Sequence, residues 1–417
     1  MSITLNIVEM GARGDGLAEE EGARYFVPFS LPGEIVSVEP GEKRGEGVVA
    51  QLIEVLAPSR HREPAPCKHF GTCGGCALQH WRRDIYAGWK NDLISTALEQ
   101  RGVKAPVFEP ALAGQPGERR RSDFVLRRQG RKSVAGFHER GSPQIVNVEE
   151  CFVINPKLAA LLPPLRAALA EVLPEGALAD AIVNDTDAGL DVLVRPHKRF
   201  NLSLEASQKL VAFATAADLA RLSWGDRARG EPVVALRTPR LTFGDVTLEP
   251  PPGVFLQATR RAEQTMRDTT ATWIGDAKRV ADLFSGIGTL TVGRPWRATL
   301  YESDKPSIAV VEAAGRKLGG GRLTVVQRDL FRNPVSASEL ASFDAVVLDP
   351  PRAGAVAQTA ELAKSKLKRI VYASCDPGTF ARDARVLQDG GYRLEKLMPI
   401  DQFLWSAHVE LIALFTK

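Results

Sequence analysis

No run of 18 apolar residues occurs anywhere in the 417-residue chain, so no segment reads as a membrane-spanning helix. The first residues also lack the apolar stretch of an export signal, since Glu9 and Asp15 stand where it would lie. A cytoplasmic location is the expectation. Internal repeats and low-complexity tracts are absent too. Cysteine is scarce, and its count of five is odd. Four of the five cluster by spacing and one stands alone. This pattern argues against a disulfide framework and for a four-ligand site plus one reactive thiol.

What remains is ordinary for a globular protein, with 44% hydrophobic and 25% charged residues. The length exceeds one ordinary core, so two or three domains are expected. Net charge is +4 but unevenly spread, because residues 1–55 hold ten acidic and four basic side chains. The densest basic run is Arg119, Arg120, Arg121, Arg127, Arg128, Arg131 and Lys132, interrupted only by Asp123. A run of that density beside strand-like residues is a candidate for phosphate contacts with RNA.

Residues 1–56 read as a small OB-like β-barrel. Short alternating runs (Ile3 to Val8, Ala23 to Phe26, Glu34 to Val38, Gly47 to Val55) are separated by Gly-rich turns such as 11–16. Gly11-x-x-Gly14-x-Gly16 is no nucleotide loop, because no helix-forming segment follows it. Residues 57–251 read as a central α+β domain. It opens on a linker at Pro58–Pro66, and a helix over 81–101 follows, packing on the catalytic domain. That helix carries Ile85, Trp89, Leu93, Ala97 and Leu98 at helical spacing. The next hundred residues alternate short strands and polar turns. From 252 onward, seven strands alternate with helical segments, the signature of a doubly wound, Rossmann-like α/β sheet.

The first of these strands ends in Asp282-Leu283-Phe284-x-Gly286-x-Gly288. Closely spaced glycines let the backbone turn and approach a ligand. Thr291 occupies the third-glycine position of the dinucleotide fingerprint, so the motif is a different one. Glu302 at the end of the second strand suits a ribose diol, and Asp329 after the third suits an adenine amino edge. Acids at three successive strand ends favour a methyltransferase pocket over a nicotinamide one.

Cys67-x5-Cys73-x2-Cys76 and the distant Cys151 form a four-thiolate set. Spacing alone leaves tetrahedral zinc and a [4Fe–4S] cluster both open. The fifth cysteine ends the apolar run Ile370-Val371-Tyr372-Ala373-Ser374-Cys375, which breaks at Asp376-Pro377. The carboxyl ends of strands are where an open α/β sheet places its chemistry. Asp349-Pro350-Pro351-Arg352 lies upstream and His408-Val409-Glu410 downstream.

Together these blocks resemble the S-adenosylmethionine-dependent RNA uracil-C5 methyltransferase family, over nearly the whole chain. The resemblance implies a seven-stranded methyltransferase sheet with a final hairpin and one antiparallel strand. It implies Cys375 as nucleophile, Glu410 as base and Asp349 at the uracil edge. Gln257 of Phe255-Leu256-Gln257, Phe284 and Thr289 would line the S-adenosylmethionine pocket with Glu302, Asp329 and Asp349. The four-cysteine set would hold a [4Fe–4S] cluster, and Pro32-Gly33-Glu34 would belong to a TRAM module. Three positions depart from the family pattern: Thr259 and Asp376 stand where Asn is usual, and Ser285 where Cys is frequent. The segment between Gly288 and Thr299, with Pro295, is also short for a first helix.

The expected reaction is methylation of a uridine in RNA, with 23S rRNA the first choice and the tRNA T loop the alternative. The barrel and the cysteine set point to the rRNA branch, and a monomer is expected. A 5-methylcytosine enzyme would carry a second cysteine at 349–352, and none is there. A non-catalytic iron–sulfur RNA-binding protein would have no reason to keep Gln257, Glu302, Asp349, Cys375 and Glu410 together.

Overall fold

The computed structural model describes residues 2–226 and 230–417. Strands β1 (Ile3–Asn6), β2 (Glu9–Met10), β3 (Asp15–Glu20), β4 (Ala23–Pro28), β5 (Ile35–Arg44) and β6 (Gly47–Ala57) form one sheet in the order β1-β5-β6-β4-β3-β2. The two ends of that order are separated in sequence by only Ile7 and Val8. Ile7 N–H bonds Glu34 O and Val8 N–H bonds Leu17 O, each at 2.9 Å. One chain segment therefore borders both β5 and β3. Leu5, Ile7, Val27, Val36 and Val38 fill the space enclosed. Gly-rich residues expected as a turn through 16 are already strand from Asp15. A side chain at position 16 would meet Ser30 Oγ at 2.2 Å, so glycine there permits the close approach.

Helix α1 (Arg83–Gln100) follows the cysteine loop and buries Tyr86, Trp89, Lys90, Ile94 and Leu98. Trp89 and Leu98 of the expected face are buried, while Ile85, Leu93 and Ala97 are half-buried. Ile94 and Leu98 enter the same core as Tyr372 and Phe380, whereas Ile85, Leu93 and Ala97 look into an open groove. Lys90 is also buried, where it pairs with Asp401 at 2.5 Å.

The central sheet comprises β7 (Arg121–Gln129), β8 (Lys132–His138), β9 (Ile145–Asn147), β10 (Leu178–Thr186), β11 (Gly189–Pro196), β12 (Arg221–Trp224) and β13 (Glu231–Ala235). Helices α2 (Pro156–Val172) and α3 (Leu204–Ala216) interrupt it. Both helices pack on one face through Leu158, Leu165, Leu169, Leu210 and Phe213. Neither was expected from the sequence. Pro163 and Pro164 hide α2 from a propensity reading, yet they lie on its exposed face, where the carbonyls they free can be hydrated. Asn155 caps the helix, and Pro156 at its first turn needs no hydrogen bond.

A hairpin, β14 (Leu241–Phe243) and β15 (Val246–Leu248), and helix α4 (Arg260–Ile274) lead into the last sheet. Its elements are β16 (Arg279–Leu283), β17 (Arg297–Glu302), α5 (Lys305–Leu318), β18 (Leu323–Gln327), α6 (Ala337–Leu340), β19 (Ala345–Leu348), α7 (Val356–Lys364), β20 (Arg369–Ser374), α8 (Pro377–Asp389), β21 (Arg393–Ile400) and β22 (Glu410–Thr416). The order is β18-β17-β16-β19-β20-β22-β21, and only β22 runs antiparallel to its neighbours. Chain direction across the sheet reverses between β16 and β19, where ligands bind in such folds. No described helix is long and apolar enough to cross a membrane.

Candidate active site

A cavity of about 650 Å³ opens at that reversal point. Gln257, Phe284, Thr289, Glu302, Asp329, Asp349, Cys375 and Glu410 all line it, so every expected cofactor and catalytic side chain meets there.

The turn after β16 shapes one wall. Phe284 takes the left-handed backbone at φ 59°, and Gly286 and Gly288 follow at 55° and 75°. A Cβ on Gly288 would lie 2.3 Å from Val292 Cγ2 and 2.7 Å from Leu300 Cδ2, so only glycine fits. Gly288 N–H bonds Ser285 O and Val292 N–H bonds Gly288 O, closing a compact turn where a long first helix is absent. Gly286 N–H then reaches Glu302 Oε2 at 2.8 Å, while Ser303 and Asp304 N–H groups hold Oε1. Three backbone donors thus fix the Glu302 carboxylate at the cavity wall. Thr291, the residue that breaks the dinucleotide pattern, donates its hydroxyl to buried Asp282. Burial, reinforced by the charges of Asp349 and Glu302, pushes Asp282 up to about 7.

Asp329 accepts Phe331 N–H at 3.0 Å. Phe331 was not anticipated, yet its ring lies 5.3 Å from that of Phe284 inside the cavity and is half exposed. The pair offers an aromatic wall for a purine.

Cys375 follows β20. Burial pushes its thiol up to about 12, with Glu410 and then Asp349 adding to the rise and Arg352 opposing it. Asp376 has only a minor part, because its carboxylate caps α8 by accepting Thr379 N–H at 3.0 Å. Thr259 behaves alike, capping α4 through Ala262 N–H. Both departures from the family pattern therefore keep a helix-capping oxygen. Arg352 Nη2 donates to His408 Nδ1 at 2.6 Å, and burial holds that imidazole neutral, down to about 4.

Buried Glu410 and half-buried Asp349 are the two carboxyls that weigh most on the thiol. Burial raises Asp349 to about 7, and burial plus the charge of Asp349 raises Glu410 well above the usual carboxylate range. Two amides link them. Gln257 Nε2 donates to Asp349 at 3.0 Å, and Gln402 Nε2 donates to Gln257 Oε1 at 2.8 Å and to Glu410 at 2.9 Å. Gln402 left no trace in the sequence, since it sits in a loop with no periodicity or motif of its own.

That loop is clamped from α1. Tyr86 OH donates to Asp401 at 3.0 Å and accepts Trp405 N–H, while Ala77 and Leu78 N–H both bond Trp405 O. Trp405 holds a left-handed φ of 58°, a strained state that persists because these contacts over-determine it. The segment directly after Cys76 is thus attached to the loop carrying Gln402 and His408.

A larger groove of about 1,560 Å³ shares Arg352, Cys375 and His408 with the first cavity. It runs along Ile85, Trp89 and Leu93 of α1 and past Gly74 to Met10 and Arg13. Cys375 stands where the two spaces join.

Part of the basic run, Arg119 and Arg120, is held within the protein. Arg119 Nε bonds Arg121 O at 2.9 Å. Buried Arg120 pairs with Glu263 and bonds Gln257 O at 3.2 Å, bracing the segment that carries Gln257. Arg127, Arg131 and Lys132 remain exposed. Among the described residues no group of three His, Cys, Asp or Glu side chains is arranged to hold one metal ion. Cys67, Cys73, Cys76 and Cys151 are unpaired thiols within one another's electrostatic reach. Burial first, then the other thiols' charges, raises Cys76 to about 12.

A parallel sheet with a glycine turn after its first strand and acids after the next two defines a class I S-adenosylmethionine-dependent methyltransferase domain. Residues 327–417 match the family model described as tRNA (uracil-5-)-methyltransferase. An uncharacterized RNA methyltransferase of Brucella suis is 40% identical over 99% of this chain and 97% of its own. The 23S rRNA (uracil(1939)-C(5))-methyltransferase RlmD of Aeromonas salmonicida is 33% identical, covering 96% of this chain and 93% of its own. In fold, the chain is similar to the Pyrococcus abyssi tRNA (uracil-54, C5)-methyltransferase solved with S-adenosyl-L-homocysteine. The TM-score is 0.75 at 24% identity, covering 99% of both chains. The chain belongs to the family of S-adenosylmethionine-dependent RNA uracil-C5 methyltransferases.

Proposed function

We propose that the substrate is a uridine of 23S rRNA and that methylation proceeds through a covalent bond between Cys375 and uracil C6. The observation that carries the covalent part is the position of Cys375, at the junction of a cofactor-sized cavity and a long groove, within electrostatic reach of Asp349 and Glu410. Uracil C5 is a poor nucleophile on its own. Addition of the Cys375 thiolate to C6 forms the S–C6 bond and moves the ring electrons onto C5 and O4, giving an enolate. S-adenosylmethionine, when bound, supplies an electrophilic methyl group and a positive sulfonium that favours the anionic forms of Cys375, Asp349 and Glu410. After C5 has taken the methyl group, Glu410 removes the C5 proton, the C5=C6 bond re-forms, and the thiolate leaves. Asp349 holds the uracil edge, while Gln257, Phe284, Thr289, Glu302 and Asp329 hold the methyl donor.

The RNA strand enters along the groove lined by α1, with the target base unstacked to reach the thiol. The half-buried apolar side chains of Ile85 and Leu93 that line this groove suit stacked bases better than phosphates. The remaining exposed basic residues, Arg127, Arg131 and Lys132, are the phosphate contacts retained from the basic run. The rRNA assignment rests on the 33% identical relative that is named for 23S rRNA. A tRNA target is the alternative, favoured by the description of the matching family model. Mapping 5-methyluridine in rRNA and tRNA from a deletion strain distinguishes them. Loss confined to 23S rRNA is expected, and loss confined to tRNA would overturn the assignment.

Three units follow from the same reading: a TRAM-like barrel over 1–56, a central domain over 57–251 and a catalytic domain over 252–417. The unbroken route of residues 3–10 from β5 to β3 supports a closed barrel. Cys67, Cys73, Cys76 and Cys151 are read as ligands of a [4Fe–4S] cluster. Support comes from the donor set: four unpaired thiols in mutual reach, and Gly74 packed so closely that a Cβ would meet His138 O at 2.9 Å. In a cubane each sulfur binds its own iron, so the four need not converge on one point. Anaerobically purified protein should carry about four irons and four labile sulfides per chain. One zinc and no sulfide would sink this assignment.

A further inference from the structure

We propose that Gln402 is a positioning residue for the elimination step, holding both Gln257 and the base Glu410 in their working orientations. The inference rests on the reading of Glu410 as the base. It stands on a chain of hydrogen bonds whose direction can be worked out from one fixed donor.

A backbone N–H can only donate. Ala258 N–H points at Gln402 at 2.8 Å, so the atom there is the Gln402 carbonyl oxygen, Oε1. The Gln402 amide nitrogen must then face the other way. It is a double donor, and it meets two acceptors, Gln257 Oε1 at 2.8 Å and Glu410 Oε2 at 2.9 Å. With its oxygen so engaged, Gln257 turns its own NH2 toward Asp349 Oδ2 at 3.0 Å. One main-chain bond therefore sets the sense of two side-chain amides. It also leaves Glu410 Oε1 as the oxygen free for the C5 proton.

Gln402 and Gln257 are both about 97% buried, and Glu410 is equally enclosed. Water cannot replace a lost amide in that space without cost. Geometry also gives the charge effect. Glu410 faces Asp349, whose charge disfavours its ionisation, and Arg352, which favours it but is shared with His408. The Gln402 amide is the hydrogen-bond donor acting directly on the carboxylate, and it lowers the pKa of Glu410 against burial. Without it the base holds its proton to higher pH.

The test is Gln402→Met, which keeps the length and apolar bulk of the side chain and removes both amide functions. The full-length protein is assayed with S-adenosylmethionine and RNA, beside wild type and Glu410→Gln. Expected is a kcat about 10- to 100-fold lower, the size of losing one hydrogen bond to a charged group, with KM for RNA unchanged. The rising limb of the kcat–pH profile should move to higher pH, and methylated covalent adduct should accumulate on a denaturing gel. Unmoved pH dependence with no adduct would overturn the proposal. So would a rate loss that merely follows weaker S-adenosylmethionine binding or a lower Tm, because a loop-holding role predicts that pattern. If Glu410→Gln itself accumulates no adduct, the base assignment falls and this proposal with it. Should Gln402→Met not fold, Gln402→Asn retains both amide functions one methylene shorter and is judged by the same pH shift and adduct.

Discussion

Cys375→Ala should abolish methyl transfer to RNA while S-adenosylmethionine binding stays nearly intact. In the proposed reaction the thiol is the group that forms a bond to the uracil, and without addition at C6 the C5 carbon has no nucleophilic character to meet a methyl group. No other side chain can substitute. The remaining four cysteines lie at positions 67, 73, 76 and 151, none of them in the cavity that holds Asp349 and Glu410. The donor-side contacts, Glu302 with its three backbone donors and the Phe284–Phe331 wall, do not involve position 375. RNA carrying 5-fluorouridine gives the complementary result in the wild-type enzyme. Fluorine cannot depart as a proton does, so the methylated adduct is trapped and survives a denaturing gel. The trap should vanish with Cys375→Ala. Trapping that persists without Cys375, or never occurs with it, would refute the covalent route.

What the sequence discloses and what it conceals follow from the range of the forces involved. Strands β16, β17, β19 and β20 are short apolar runs with an acid or thiol at or beside the carboxyl end, so Asp282, Glu302, Asp349 and Cys375 could be read from local pattern. The sheet order then brings them to one cavity. Concealed features depend on partners far away in sequence. Helix α1 is legible as a helix with Trp89 and Leu98 on its buried side, but Lys90 is seen to be inward only once Asp401, 311 positions later, is placed beside it. Arg120 looks like one more cation in a basic run until Glu263 claims it. Helix α2 is masked by two prolines whose harmlessness depends on which face is outward. Gln402 is the clearest case. An isolated glutamine in a loop has no signature, and its role exists only after β22 has carried Glu410 beside it.

Glu410→Gln should separate the two halves of the reaction. The amide keeps the shape of the carboxyl and can still meet Gln402, so addition of Cys375 and methyl transfer proceed. It cannot take the C5 proton. Turnover should fall by roughly 10²–10⁴-fold, as expected for loss of a general base. Methylated enzyme–RNA adduct should build up on ordinary, unfluorinated RNA. The wild-type pH profile follows from the same group. Burial and the charge of Asp349 raise Glu410 above the usual carboxylate range, and the base works only when ionised, so the rate should climb as pH rises through that pKa. In Glu410→Gln this rising limb should disappear from the elimination step. The cavity also contains the alternative acceptor, Asp349, which burial brings to about 7. Asp349→Asn therefore serves as the control. It should weaken methyl transfer before any adduct is methylated, leaving no stalled methylated species. Adduct that accumulates with Asp349→Asn and not with Glu410→Gln would exchange the two roles, because the residue that removes the C5 proton is the one whose loss leaves the methylated uracil attached to sulfur.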